Sequence, residues 1–88
     1  MKQIKLSGRE MAVLRAIDYT TGSTGEEIRE RTQIEAEDVA DILNGLCDVG
    51  YVEIYPESTH VTLANCKASR FEINPSYFLQ LKETMRRR

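Results

Sequence analysis

Apolar positions recur at three- and four-residue spacing in three stretches and alternate with polar ones in two others, so the chain reads as mostly helical with a small β component. The first helix is announced by Ser7-Gly8-Arg9-Glu10. The Ser7 hydroxyl can cap the third helical N–H, and Glu10 can reach back to the Ser7 N–H. Met11, Val13, Leu14 and Ile17 follow at helical spacing, Leu6 is placed to staple onto Met11, and the pattern stops at Thr20-Thr21-Gly22-Ser23. A helix over about residues 8–19 is predicted. Thr24-Gly25-Glu26-Glu27 repeats the start signal and predicts a short second helix to about Arg31, with Ile28 as its core anchor. After a turn over residues 32–34, Val39, Ile42, Leu43, Leu46 and Val49 form one apolar face of a third helix that Gly50 ends.

Residues 51–55 alternate as a half-buried strand should, with Val52 and Ile54 on one side and Pro56 as the stop, and residues 70–73 alternate likewise. Residues 59–63 are also β-prone. The strand after Gly50 therefore has two candidate partners, 59–63 and 70–73, singly or together. Asn74-Pro75 opens a final helix, because an Asn cap followed by Pro at the first helical position sacrifices no hydrogen bond. Tyr77, Phe78, Leu81 and Met85 make its apolar stripe, and Arg86, Arg87 and Arg88 sit where cations favour the carbonyl end.

At 88 residues, 41% apolar and 30% charged, the chain suits one small domain and is too short for a large enzyme core. A domain of this size buries only roughly 60–65% of its unfolded surface, which makes a second copy an attractive source of further burial. Its longest clearly apolar run, Met11-Ala12-Val13-Leu14, is far short of the ~20 residues that span a bilayer, so a cytoplasmic protein without a membrane segment is expected. Cys47 and Cys66 are the only cysteines and are expected as free thiols in a reducing compartment. Charge is distributed unevenly. Residues 1–25 set Lys2, Lys5, Arg9 and Arg15 against Glu10 and Asp18. Residues 26–48 hold eight acids against Arg29 and Arg31, a net of minus six within a chain whose total is minus two.

Catalytic chemistry finds little footing. There is a single His, His60, expected as an exposed residue, and no nucleophile motif of the Gly-x-Ser-x-Gly kind. Joining His60 with Cys47 and Cys66 into a metal site lacks paired ligand spacing. Gly22-Ser23-Thr24-Gly25 lacks the Lys and the preceding strand of a phosphate loop. No enzyme activity, cofactor or metal is expected.

Three helices, the last two joined by a tight turn, then strands and a closing helix, form an order that resembles a winged helix-turn-helix domain of the bacterial and archaeal transcription-regulator type. The residues that carry the resemblance are Ile28, Thr32, Ile34, Val39, Ile42, Leu43, Leu46 and Gly50-Tyr51-Val52. It implies an α+β, mostly α fold in a single domain over residues 1–88: a helical core over 7–50, a β-hairpin wing over 51–74 and a C-terminal helix over 75–88. It also implies a homodimer, with Tyr77, Phe78, Leu81 and Met85 as interface candidates and closure of the chain's own core as the competing use of that stripe.

In that family the third helix enters the DNA major groove, and here the chain departs from the pattern it resembles. The positions opposite Val39 and Leu46 are Glu37, Asp41, Asn44, Gly45 and Asp48, with Asp38 on the flank and no basic residue among them. Duplex DNA carries one charge per ~1.7 Å of axis, so such a face disfavours groove entry. Weak, salt-sensitive DNA contact through Lys67 and Arg70 of the wing, Lys2 and Lys5 of the N-terminal arm and Arg86, Arg87 and Arg88 is the first expectation. A winged-helix module that binds a protein partner and no nucleic acid is the second, supported by the acidic face.

Overall fold

In the computed structural model, which describes residues 4–58 and 60–86, two reciprocal caps start the first two long helices. Glu10 N–H donates to Ser7 Oγ at 3.1 Å while Ser7 N–H donates to the Glu10 carboxylate at 2.8 Å, opening α1 (Gly8–Ala16). Thr24 and Glu27 repeat the exchange at 3.1 and 2.9 Å to open α2 (Gly25–Thr32). Each such cap contributes about 1 kcal/mol.

α1 ends three residues earlier than its sequence pattern predicts. The Ile17 N–H turns back to the Leu14 carbonyl at 3.2 Å, and the Asp18 carboxylate accepts from the Thr20 and Thr21 N–H groups at 2.8 and 3.1 Å. A local side-chain turn thus outcompetes another helical turn. α2 closes on Gln33, whose left-handed φ of 60° redirects the chain while its N–H still reaches the Arg29 carbonyl at 2.9 Å. α3 (Ala36–Asp48) follows after two residues, and Gly50 at φ 88° turns the chain into the sheet.

Leu14, Ile17, Ile28, Val39, Leu43 and Leu46 meet where α1, α2 and α3 converge, each at most 2% exposed. Burying a side chain of this kind contributes roughly 1.5–3 kcal/mol. Against them lies a three-stranded antiparallel sheet of β1 (Ser23–Thr24), β2 (Val52–Tyr55) and β3 (Arg70–Ile73), in the order β1-β3-β2. Val52 faces Ile73 and Ile54 faces Phe71, so the inward positions of both longer strands line the core. The fold is therefore α+β with more helix than strand.

Two features of this sheet go beyond what the sequence pattern decides. The strand after Gly50 pairs with 70–73 alone, and the β-prone stretch at 59–63 supplies no strand among its described residues. Instead Thr62 caps α4 (Leu63–Cys66): Asn65 N–H donates to Thr62 Oγ1 at 3.2 Å and Thr62 N–H to Asn65 Oδ1 at 2.9 Å. The other is β1, whose two residues pair with Phe71 and Arg70 at the sheet edge.

The connector that carries α4 is clasped to the start of α2 by main-chain bonds, Gly25 N–H to the Ser69 carbonyl at 3.2 Å and Glu26 N–H to the Lys67 carbonyl at 3.3 Å. Gly25 is required there. A Cβ at this position would overlap the Cys66 carbonyl and lie 2.6 Å from its Sγ. Asn74 ties the last element down, accepting from Ser76 N–H at 3.0 Å and donating to the Gly50 carbonyl at 2.7 Å, ahead of a 3-10 turn (Pro75–Tyr77) and α5 (Phe78–Arg86). No helix among the described residues is long and apolar enough to cross a membrane.

Candidate nucleic-acid interface

The outer face of α3 is acidic, with Glu37, Asp41 and Asp48 all exposed. Two of its expected members are used differently. Asp38 is half-buried and pairs with Arg9 of α1 at 3.3 Å, a surface ion pair of small energetic weight. Asn44 is turned toward the connector, where its Oδ1 accepts from the Val61 N–H at 3.1 Å. Capturing that donor holds the connector against α3, which explains why Asn44 is only partly exposed.

The candidate cations are distributed over separate elements. Lys67, at the end of α4, is exposed and has a carboxylate neighbour in Glu26. Arg70, three residues on, donates from Nε to Glu72 at 3.0 Å and lies over the Tyr55 ring at 5.6 Å, so part of its charge is already matched. Lys5 is exposed on the segment leading into α1, and Arg86 is exposed on the last turn of α5. Lys2, Arg87 and Arg88 lie outside the described residues.

Arg15 and Arg31, not singled out by the sequence pattern, have defined structural roles. Arg15 Nη2 donates to the Met85 carbonyl at 3.0 Å, and Arg31 Nη1 donates to the Ala16 carbonyl at 2.7 Å and to Ser23 Oγ at 2.8 Å. Both satisfy carbonyls at helix ends. Arg15 carries its charge without an acid four residues away on its own helix, a signal that could have found it, whereas Arg31 has Glu27 at that spacing and gave no such signal.

The stripe expected to join two copies is engaged within the chain. Leu81 and Met85 are 1% and 6% exposed, Tyr77 meets Tyr51 edge-on at 5.0 Å between centroids, and Phe78 meets Tyr19 at 4.9 Å. The competing use of the stripe, closing the chain's own core, is the one observed. Leu79 is the exposed apolar residue of α5, at 76%.

Both thiols are free, Cys47 half-buried on α3 and Cys66 buried on α4. Burial, with help from nearby Asp48 and Cys66, pushes the Cys47 thiol up to about 11, and burial raises Cys66 as well. Neither is a ready nucleophile at neutral pH. Among the described residues no three His, Cys, Asp or Glu side chains converge on a common point that could hold a metal, and His60 is exposed.

Comparison of the chain with protein-family models, with curated proteins and with solved structures finds no match.

Proposed function

We propose that the chain is a winged-helix domain of the transcription-regulator type that touches duplex DNA weakly, through the connector between β2 and β3 and through its basic termini rather than through α3. The observation that carries this reading is the order of elements around the sheet: β1 lies between α1 and α2, and β2 and β3 close the sheet after α3. In a winged helix the β2–β3 connector is the wing. Here the connector carries Lys67 and Arg70 opens the strand that follows it, while the acidic face of α3 disfavours entry of that helix into a groove lined by phosphates.

A mixed-sequence duplex titrated at low and at physiological salt tests the proposal. Binding that weakens steeply with salt is expected, and replacing Lys67 and Arg70 by Gln lowers the slope of log K against log salt by about 2. No binding at low salt overturns it.

A second reading, a winged-helix module for a basic protein partner, draws support from a specific contrast. Arg70 is already matched by Glu72, whereas Glu37, Asp41 and Asp48 all face solvent. It predicts that an oligolysine peptide binds the wild-type chain and that Glu37→Gln, Asp41→Asn and Asp48→Asn together abolish that binding. The homodimer that belongs to the first reading would draw on the partly buried Tyr77 and Phe78 of the stripe, since Leu81 and Met85 are buried within the chain.

A further inference from the structure

A cleft of about 200 Å³ opens where the connector helix α4 leans on the first turns of α2 and α3. Its floor is apolar: Val39 and Cys66 are buried there, beside Ala36 and Leu63. Leu63 is 54% exposed at this cleft, an apolar side chain left half in solvent on a wall that is otherwise apolar. The charged groups of the lining are Glu26, Arg29 and Lys67, one acid and two cations, so the rim carries a net positive charge.

Those three groups are arranged asymmetrically. Arg29 holds Glu26 in a two-point contact, Nε to Oε1 at 3.2 Å and Nη2 to Oε2 at 2.6 Å, which fixes the guanidinium while using two of its five N–H donors. Lys67 lies within electrostatic reach of the same carboxylate from the opposite element. A polar edge with surplus positive charge above an apolar floor matches a ligand with one anionic end and one hydrocarbon end. Size narrows the class further, since an engineered cavity of about 150 Å³ takes up a single benzene ring.

We propose that this cleft binds a small amphipathic carboxylate, of the size of an aromatic ring bearing one carboxyl group, with the ring on Val39 and Leu63 and the carboxylate on Lys67 and the Arg29 N–H donors that Glu26 leaves unused. The inference goes beyond duplex contact and does not rest on it. Occupancy joins α4 to the start of α3, so such a ligand also fixes the position of the connector.

Benzoate is the probe, titrated into the ¹⁵N-labelled chain without nucleic acid, with benzyl alcohol as its uncharged counterpart. Saturable shifts confined to the amides around Gly25, Ala36, Leu63 and Lys67 are expected, with a dissociation constant on the order of 1 mM or tighter. Lys67→Gln weakens benzoate several-fold and leaves benzyl alcohol unaffected. Ala36→Leu fills the cleft from an exposed helix position and removes both. Absence of saturable shifts up to the solubility limit overturns the proposal, as does binding that survives Ala36→Leu. Equal affinity for benzoate and benzyl alcohol overturns the assignment of an anionic ligand.

Discussion

Arg31 of α2 closes the carbonyl end of α1, its Nη1 donating to the Ala16 carbonyl at 2.7 Å. The same nitrogen bonds Ser23 Oγ, which also accepts from the Asp18 N–H at 2.9 Å, so one side chain fastens α1, the turn after it and β1. Arg31→Met keeps most of the aliphatic stem and removes the donor. A loss of about 1–2 kcal/mol is expected, read as a lower urea midpoint with unchanged slope. Arg31→Lys recovers only part of it, because an ammonium does not reproduce the fork of the guanidinium.

Gly25→Ala displaces the connector. The added methyl meets a main-chain carbonyl, which cannot rotate away as a side chain would. A cost of about 2 kcal/mol or more is expected, together with faster hydrogen exchange at the Glu26 N–H as its bond to the Lys67 carbonyl is lost. Combining the change with Cys66→Ala does not restore stability, since the carbonyl remains. Rescue by that second substitution would place the conflict at the thiol instead.

Leu81→Asp and Leu79→Asp differ in kind despite lying two residues apart. Leu81 is 1% exposed and Leu79 76%. The first buries a carboxylate in the core, costs about 3 kcal/mol or more and abolishes cooperative melting by circular dichroism. The second leaves the melting curve within experimental error of the wild type. Sedimentation of the Leu79 variant then reports on self-association without the confusion of unfolding.

Acid sensitivity has a local source in the turn after α1. Hydrogen bonds from the Thr21 and then the Thr20 N–H hold the Asp18 carboxyl below the usual carboxylate range, and the Arg29 side chain does the same for Glu26. A carboxyl depressed in the folded state adds stability above its unfolded pKa, and that stability is lost as pH falls through the folded value. Asp18→Asn is therefore expected to lower the melting temperature at pH 7, with the difference from the wild type shrinking as pH falls through the folded-state value of Asp18. A difference that stays constant as the pH is lowered would assign the contribution of Asp18 to shape rather than charge.

The elements most legible in the sequence are those written locally. Ser7 with Glu10 and Thr24 with Glu27 form the caps their spacing predicts, and Asn74 ahead of Pro75 caps the next turn by accepting from the Ser76 N–H. β1 left no such trace, because its two residues become a strand only by pairing with Arg70 and Phe71, more than forty positions away. α4 was not legible: the β-branched residues around Thr62 point to a strand, and the exchange between Thr62 and Asn65 that opens the helix emerges only in the fold. At the candidate interface the outward acids of α3 followed from helical periodicity. The pairing of Arg70 with Glu72 and of Asp38 with Arg9 required the folded arrangement, since charge counting treats every exposed ion as free.

The two outer strands of the sheet are short, two residues in β1 and four in β2. A foreign strand seeking to extend the ladder finds little unpaired main chain to template on, and natural proteins suppress intermolecular β-aggregation by this kind of truncation. The brevity of β1 thus has a protective side: it limits the seam along which crowded copies of the chain would otherwise zip together.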